Sequence, residues 1–328
     1  MMTSKFQGPL FIVGMPRSGT KLLRDLLNQN PEIAIPTVES HFIPYLIKQF
    51  GIPPKFHQQE EIDRFYVEFT RTPFFWNMKN QGRTLEKESL IKAANLTSWA
   101  SIFEVILKFY APLGRSSDFI WGDKTPGYLR HMPLLKSLFP EARFLHIVRD
   151  PRDYVLSVSK AWGKSIYRAA HVWNETLRVA YPIGLLLGGD YKEVFYEALI
   201  SEPERVLDEV CQFLNRKFIP GMMKLSSSSE TLGDARGQTE IVQDNQGKYA
   251  AHLSWQEVKR IEEIVYPIAK SVGYQPEFAA RHKPLNPLTL QLLRIYDGWT
   301  SVRFHVSEKG FSQGVDYFLS LHRRSSWR

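Results

Sequence analysis

An α/β three-layer sandwich, with a central parallel sheet flanked by helices, is the fold that this 328-residue chain predicts. Three observations carry that expectation. Short apolar segments alternate with longer amphipathic ones along most of the chain. The first short segment, Leu10 to Val13, is a continuous apolar run of the kind a buried strand shows. Two of the short segments lead straight into a polar turn and then a helical pattern, which is the order of a βα unit.

After the Leu10 strand comes Gly14-Met-Pro-Arg-Ser-Gly-Thr20, then a helix with Leu22, Leu23, Leu26 and Leu27 on one face, ended by Asn30-Pro31. Residues about 60–70 and 98–111 carry amphipathic helical patterns inserted before the second strand, Phe119-Ile120-Trp121. Such insertions commonly form substrate-facing walls. The third strand, Phe144 to Val148, runs into Arg149-Asp-Pro-Arg152. Asp150 is placed to cap a helix that starts at Pro151 and buries Tyr154, Val155, Val158 and Trp162. A fourth strand is expected at Val194-Phe195-Tyr196, and a mobile loop across the polar, Ser/Gly-rich stretch 226–247. Ser254 and Glu257 form a capping box for a late helix with Trp255, Val258, Ile261 and Ile264 inward, kinked at Pro267 and ended by Gly273. Beyond about Arg281 the composition turns basic and mixed.

Composition narrows the function. A net charge of +8 with basic residues scattered along the chain suits an anion-binding cleft better than a nucleic-acid tail. Cys211, the one cysteine, excludes an intrachain disulfide and a cysteine-rich metal site, and its helical, apolar setting makes it a small buried hydrophobe. Leu10–Val13 is too short for a secretory signal, and no stretch reaches the roughly 18 apolar residues of a membrane span. A soluble, cytoplasmic enzyme without a membrane span is therefore expected, and the sequons at Asn95 and Asn174 read as chance matches.

The strand–turn–helix at Gly14–Thr20 offers backbone N–H groups and a helix N-terminus to an anion. Gly14 and Gly19 permit close backbone approach, Ser18 and Thr20 add hydroxyls, and Arg17 and Lys21 add charge. The glycine spacing matches a Walker A loop, but Thr20 stands where its lysine belongs and Lys21 where its Ser/Thr belongs. A magnesium–nucleotide site is disfavoured on that ground. The run Pro16-Arg-Ser-Gly-Thr-Lys-Leu-Leu23 resembles the 5′-phosphosulfate loop of sulfotransferases that use 3′-phosphoadenylyl sulfate (PAPS), with Lys21 replacing a second threonine. The resemblance implies a P-loop-type sandwich in which Pro16, Arg17, Ser18, Gly19, Thr20 and Lys21 hold the co-substrate.

A second motif follows about 130 residues later. Arg149 closes a strand and Ser157 comes eight residues on, two turns into the next helix, so a guanidinium fork and a hydroxyl can converge on one phosphate. This resembles the family's 3′-phosphate motif. A strand-end arginine paired with Asp150 or Asp153 is the plain alternative. Weaker resemblances extend over residues 8–275: Tyr196 at a strand end, Lys248 in a late loop, and Gly122-Asp-Lys-Thr-Pro126, which is similar to a lysine-bearing segment of the protein-tyrosine sulfotransferases.

What the family resemblance implies is in-line sulfuryl transfer, with Arg17 and Lys124 stabilising charge on the leaving oxygen and no metal required. The segment Pro36-Thr-Val-Glu-Ser-His-Phe-Ile-Pro44 resembles the base-bearing segment of the tyrosine enzymes, which places Glu39 as general base and His41 as the competing base. His41 replaces an arginine of the acceptor region, so the acceptor is expected to be a small molecule, glycan, lipid or tyrosine hydroxyl. Nucleic acid is not expected as a partner. Two other readings remain open: a P-loop nucleotide kinase or hydrolase, and a non-catalytic basic protein that binds anions or glycans. Residues 1–280 are expected to form the catalytic domain, with a helical insertion at about 45–115, and 281–328 a C-terminal extension of unassigned role.

Overall fold

The computed structural model describes residues 5–56, 58–229 and 236–310. The described residues form five strands: β1 (Leu10–Gly14), β2 (Ile33–Ala34), β3 (Ile120–Lys124), β4 (Arg143–Val148) and β5 (Tyr191–Phe195). They make one parallel sheet in the order β2-β3-β1-β4-β5. Ile12 of β1 lies level with Lys124 of β3 and Leu145 of β4.

Helix α1 (Thr20–Leu27) joins β1 to β2. Between β2 and β3 come α2 (Phe42–Phe50), α3 (Gln59–Thr70), α4 (Pro73–Asn80), α5 (Lys87–Ala93) and α6 (Trp99–Phe109). Ahead of β4 lies α7 (Met132–Leu138), and α8 (Pro151–Trp162) and α9 (Ile166–Leu186) lead on to β5. The chain continues through α10 (Tyr196–Ser201), α11 (Pro203–Phe213), α12 (Tyr249–His252), α13 (Trp255–Ser271) and α14 (Pro287–Lys309).

Strand residues alternate between two cores, as a period of two requires. Leu10 and Ile12, with Leu145 and Ile147, meet the leucines of α1 and the apolar faces of α10 and α11. Phe11, Val13, Phe144 and Val148 face the larger core under the remaining helices, where Phe42, Phe65, Phe69, Phe74 and Phe103 pack edge to face, tilted or stacked. Helix, sheet and helix thus form the three layers expected.

Because the chain lays β2 and β3 on one side of β1 and β4 and β5 on the other, the strand order reverses at β1 and opens a crevice at the carboxyl ends of these strands. The Gly14–Thr20 turn, Arg149 with Ser157, and the Glu39–Lys124 pair meet there.

Several expectations shift by a residue or an element. The second strand runs on to Lys124, so that lysine is a buried strand end. The fourth strand is Tyr191–Phe195, and Tyr196 opens the next helix. The two-residue β2 escaped the sequence because it is too short to show a period. Asp150 caps α8 by accepting from the Arg152 N–H, and Ser254 and Glu257 form their capping box. Trp255 corrects the expectation of an inward face: at the first helical position it turns outward, 57% exposed, while Val258, Ile261 and Ile264 are buried. Cys211 is fully buried, and burial pushes its thiol up to about 11. Of the basic C-terminal extension, α14 is described and residues 311–328 lie outside the described residues, as do 230–235 of the polar loop.

Candidate active site

The crevice has two halves. The first is a cleft of about 790 Å³, its open mouth included, bordered by Arg17, Gly19, Arg149, Ser157, Tyr196 and Lys248. Gly19 caps α1 at φ 93°, in the left-handed region, with no side chain competing for the helix's first N–H groups. A Cβ there would sit 2.4 Å from the Tyr196 ring, so the loop is packed directly on that tyrosine. Arg17 also has positive φ, 73°, a strained backbone held at the turn that feeds the start of α1.

Arg149 ties this half together. Its guanidinium donates to the Arg17 carbonyl at 3.0 Å and the Asn245 carbonyl at 3.2 Å, and lies 4.4 Å over the Tyr196 ring. The Asn245 side chain donates in turn to the Tyr196 hydroxyl at 2.7 Å. Arg17 Nε donates to Ser157 Oγ at 3.4 Å, joining the two motifs across 140 residues. Asp150 pairs with Arg152, and Asp153, which feels the Arg149 charge, accepts the Gly247 and Tyr249 N–H groups at 2.5 and 2.9 Å. Two buried polar atoms, Ser18 Oγ and Arg149 Nε, have no hydrogen-bond partner among the described residues. Buried donors left unmatched are costly, and oxyanions arriving in the crevice would satisfy them. The residues therefore fit a phosphorylated, sulfated nucleotide.

The second half is smaller and already charge-paired. Lys124 is 1% exposed and forms an ion pair with Glu39 Oε1, while His41 Nε2 meets Glu39 Oε2 at 2.8 Å. Burial works to raise the Glu39 pKa, but the His41 hydrogen bond and the Lys124 charge outweigh it and hold the carboxyl at about 2. Lys124 shifts downward, because burial and the nearby charges of Arg24 and Lys21 oppose its ammonium more than Glu39 supports it. The opposite strains fit the geometry: the lysine is enclosed, whereas the Glu39 side chain keeps 31% of its surface.

A buried clamp holds the Glu39 loop against β3. Ser40 N donates to Thr125 Oγ1 at 3.0 Å, Ser40 Oγ and the Tyr128 hydroxyl are 2.7 Å apart, and Ile43 N donates to that hydroxyl at 3.1 Å. Arg24 adds a bond to the Thr37 carbonyl at 2.6 Å. Asp123, wholly buried beside Lys124, is pushed up to about 6 by burial, with Thr125 and His41 pulling the other way.

Of the residues singled out in the sequence, Arg17, Ser18, Gly19, Arg149, Ser157, Tyr196 and Lys248 gather around the cleft, and Glu39, His41 and Lys124 form the paired cluster. Lys21 contributes charge near Lys124, Thr20 is the buried first residue of α1, and Pro16 is exposed. Arg17 sits with Ser157 rather than with Lys124. Asn245, Lys160 and Tyr128 escaped the sequence reading. Asn245 lies in a polar stretch without periodicity, and Tyr128 reads from sequence as one more core aromatic.

Comparison with known proteins bears on this geometry. The sulfotransferase family profile matches residues 9–220. Protein-tyrosine sulfotransferase 1 of Danio rerio is 25% identical over 288 residues, covering 81% of this chain and 72% of that protein. The protein-tyrosine sulfotransferase of Drosophila melanogaster is 26% identical over 214 residues, 63% of this chain and 38% of that one. Among solved structures, the sulfotransferase domain from the curacin biosynthetic pathway superposes with a TM-score of 0.54 at 19% identity, covering 84% of this chain and all of that one. The three-layer sandwich is thus of the P-loop type, and the chain belongs to the sulfotransferase family, the enzymes that transfer the sulfuryl group of PAPS.

Proposed function

We propose that the Arg149 cleft binds PAPS through its phosphates and that the Glu39–Lys124 cluster carries transfer to an acceptor hydroxyl. One observation above all supports this reading: an anion cleft with orphaned buried donors and a lysine–carboxylate pair open from the same strand ends. Arg149 and Ser157 would hold the 3′-phosphate, and Arg17, Ser18 and the Gly19 helix start the 5′-phosphosulfate. The bound co-substrate supplies an activated sulfuryl group; the rest is the work of this chain's side chains.

Glu39 takes the acceptor proton. At a pKa of about 2 it is a weak base, and the ion pair with Lys124 is one cause. When the Lys124 ammonium swings toward charge growing on the transferring group, the carboxylate loses that stabilisation and gains basicity. His41, donating through Nε2 to Glu39, orients the carboxylate and has no free lone pair on that nitrogen. The acceptor class in this proposal is a hydroxyl of a small molecule, glycan, lipid or tyrosine. Cytoplasmic residence belongs to the same proposal, supported by the lone, fully buried Cys211, and cell fractionation tests it.

Calorimetric binding of adenosine 3′,5′-bisphosphate without magnesium tests the reading. Tight binding is expected, weakened about 30-fold or more by Arg149→Ala, the usual loss when a buried, charge-paired group is truncated. Magnesium-dependent ATP binding with no affinity for the bisphosphate would overturn it.

A further inference from the structure

Helix α14 uses one face to pack on the body and leaves the opposite face bare. Asp297, 4% exposed, marks the inner face: it accepts from Ser165 N at 2.8 Å and pairs with Arg168 at 2.6 Å. At about 100° per residue, Leu288, Leu292, Ile295 and Trp299 fall on a single stripe opposite Asp297. They are 72%, 59%, 65% and 58% exposed, and Tyr296 beside them is 49% exposed. Large apolar side chains aligned in this way mark an interaction surface, unlike the scattered apolar residues of an ordinary exterior.

Along residues 278–304 the exposed charge has one sign. Arg303 stacks 4.8 Å over the Trp299 ring, and Arg281 and Lys283 are exposed just ahead of the helix. Over residues 278–304 the one carboxylate is Asp297, and it is buried and paired. Self-pairing is opposed by these cations. Parallel α14 helices would set Arg303 against Arg303, and antiparallel ones would bring Arg303 toward Arg281 and Lys283 of the other copy.

We infer that α14 is a docking surface for an anionic lipid bilayer. The helix lies flat on it, with Leu288, Leu292, Ile295 and Trp299 in the headgroup boundary and the arginines and lysine on the phosphates. Lying flat agrees with its composition, since among the described residues no helix is long and apolar enough to cross a membrane. Trp299, half apolar and half polar, suits that boundary.

Co-sedimentation of the full chain with phosphatidylcholine vesicles, with and without phosphatidylserine, tests the inference. Partition onto the phosphatidylserine vesicles is expected, reduced by salt, about tenfold or more by Ile295→Glu, and several-fold by Arg303→Glu. Unchanged thermal unfolding shows that the variants keep the fold. The inference is overturned by no partition onto anionic vesicles, by equal partition onto phosphatidylcholine alone, or by a solution dimer that Ile295→Glu dissociates.

Discussion

The two halves of the crevice handle charge in opposite ways. Around Arg149 the cations are fastened by carbonyls, a hydroxyl and an aromatic face, and the neighbouring carboxylates are engaged elsewhere. Around Lys124 the positive charge is met by a carboxylate of the protein itself. The first arrangement leaves a positive field for an incoming anion. The second holds a carboxylate and an ammonium as a pair, so each is restrained until something competes for its partner. The difference teaches that, on the proposed function, affinity and chemistry are separately built at strand ends on either side of β1, and substitutions should separate them.

Glu39→Gln should have the largest effect, lowering kcat for sulfuryl transfer by about 10²–10⁴. Affinity for adenosine 3′,5′-bisphosphate should stay unchanged, as steady-state kinetics and calorimetry together would show. Loss of both would mean that the halves are not separable. Gly19→Ala strikes the other half: the added methyl would overlap the Tyr196 ring that carries Arg149, at a backbone angle alanine resists. Bisphosphate affinity should fall about 10- to 100-fold, for a cost of about 1–3 kcal/mol.

Asp123→Asn sharpens the comparison from the stability side. With its carboxyl at about 6 in the fold and near 3.9 unfolded, the native state binds the proton more tightly. Stability from this group therefore falls as pH rises from about 4 to about 6, and stays reduced above that. Asparagine should remove the slope, raising stability by about 2–3 kcal/mol near pH 8 with little gain near pH 4, as thermal melts across that range would record. The smallest effect is expected of Tyr128→Phe, which leaves Ile43 N and Ser40 Oγ without their buried partner. A loss of about 1–2 kcal/mol in chemical denaturation should accompany a modest fall in kcat.

The legible parts of the site are those written as local motifs. Arg17 to Thr20 and Arg149 with Ser157 stand at strand–helix junctions, where one strand, one turn and one helix position the groups, so their spacing carries meaning. Glu39 and Lys124 were legible one at a time, but their pairing across 85 residues depends on β3 lying beside β2, the strand that leads into the Glu39 loop. The Ser40–Tyr128 clamp was invisible because a buried tyrosine that organises a loop and one that merely fills space have the same apolar neighbours in sequence. Trp255 departs from its helical stripe for a related reason: the period along the chain does not record that the first turn stands clear of the core.

By itself the sequence determined the α/β class, the parallel sheet, the caps of α8 and α13, and both anion-facing motifs, since these depend on period, spacing and local hydrogen bonding. Tertiary structure alone decided that Asp150 pairs with Arg152 and Asp153 accepts from backbone N–H groups, that Glu39 and His41 share one hydrogen bond above a buried lysine, and that α14 keeps a bare apolar face. The physical reason is common to all three. Charge pairing and burial are set by which groups meet across the fold, and distance along the chain does not record those meetings.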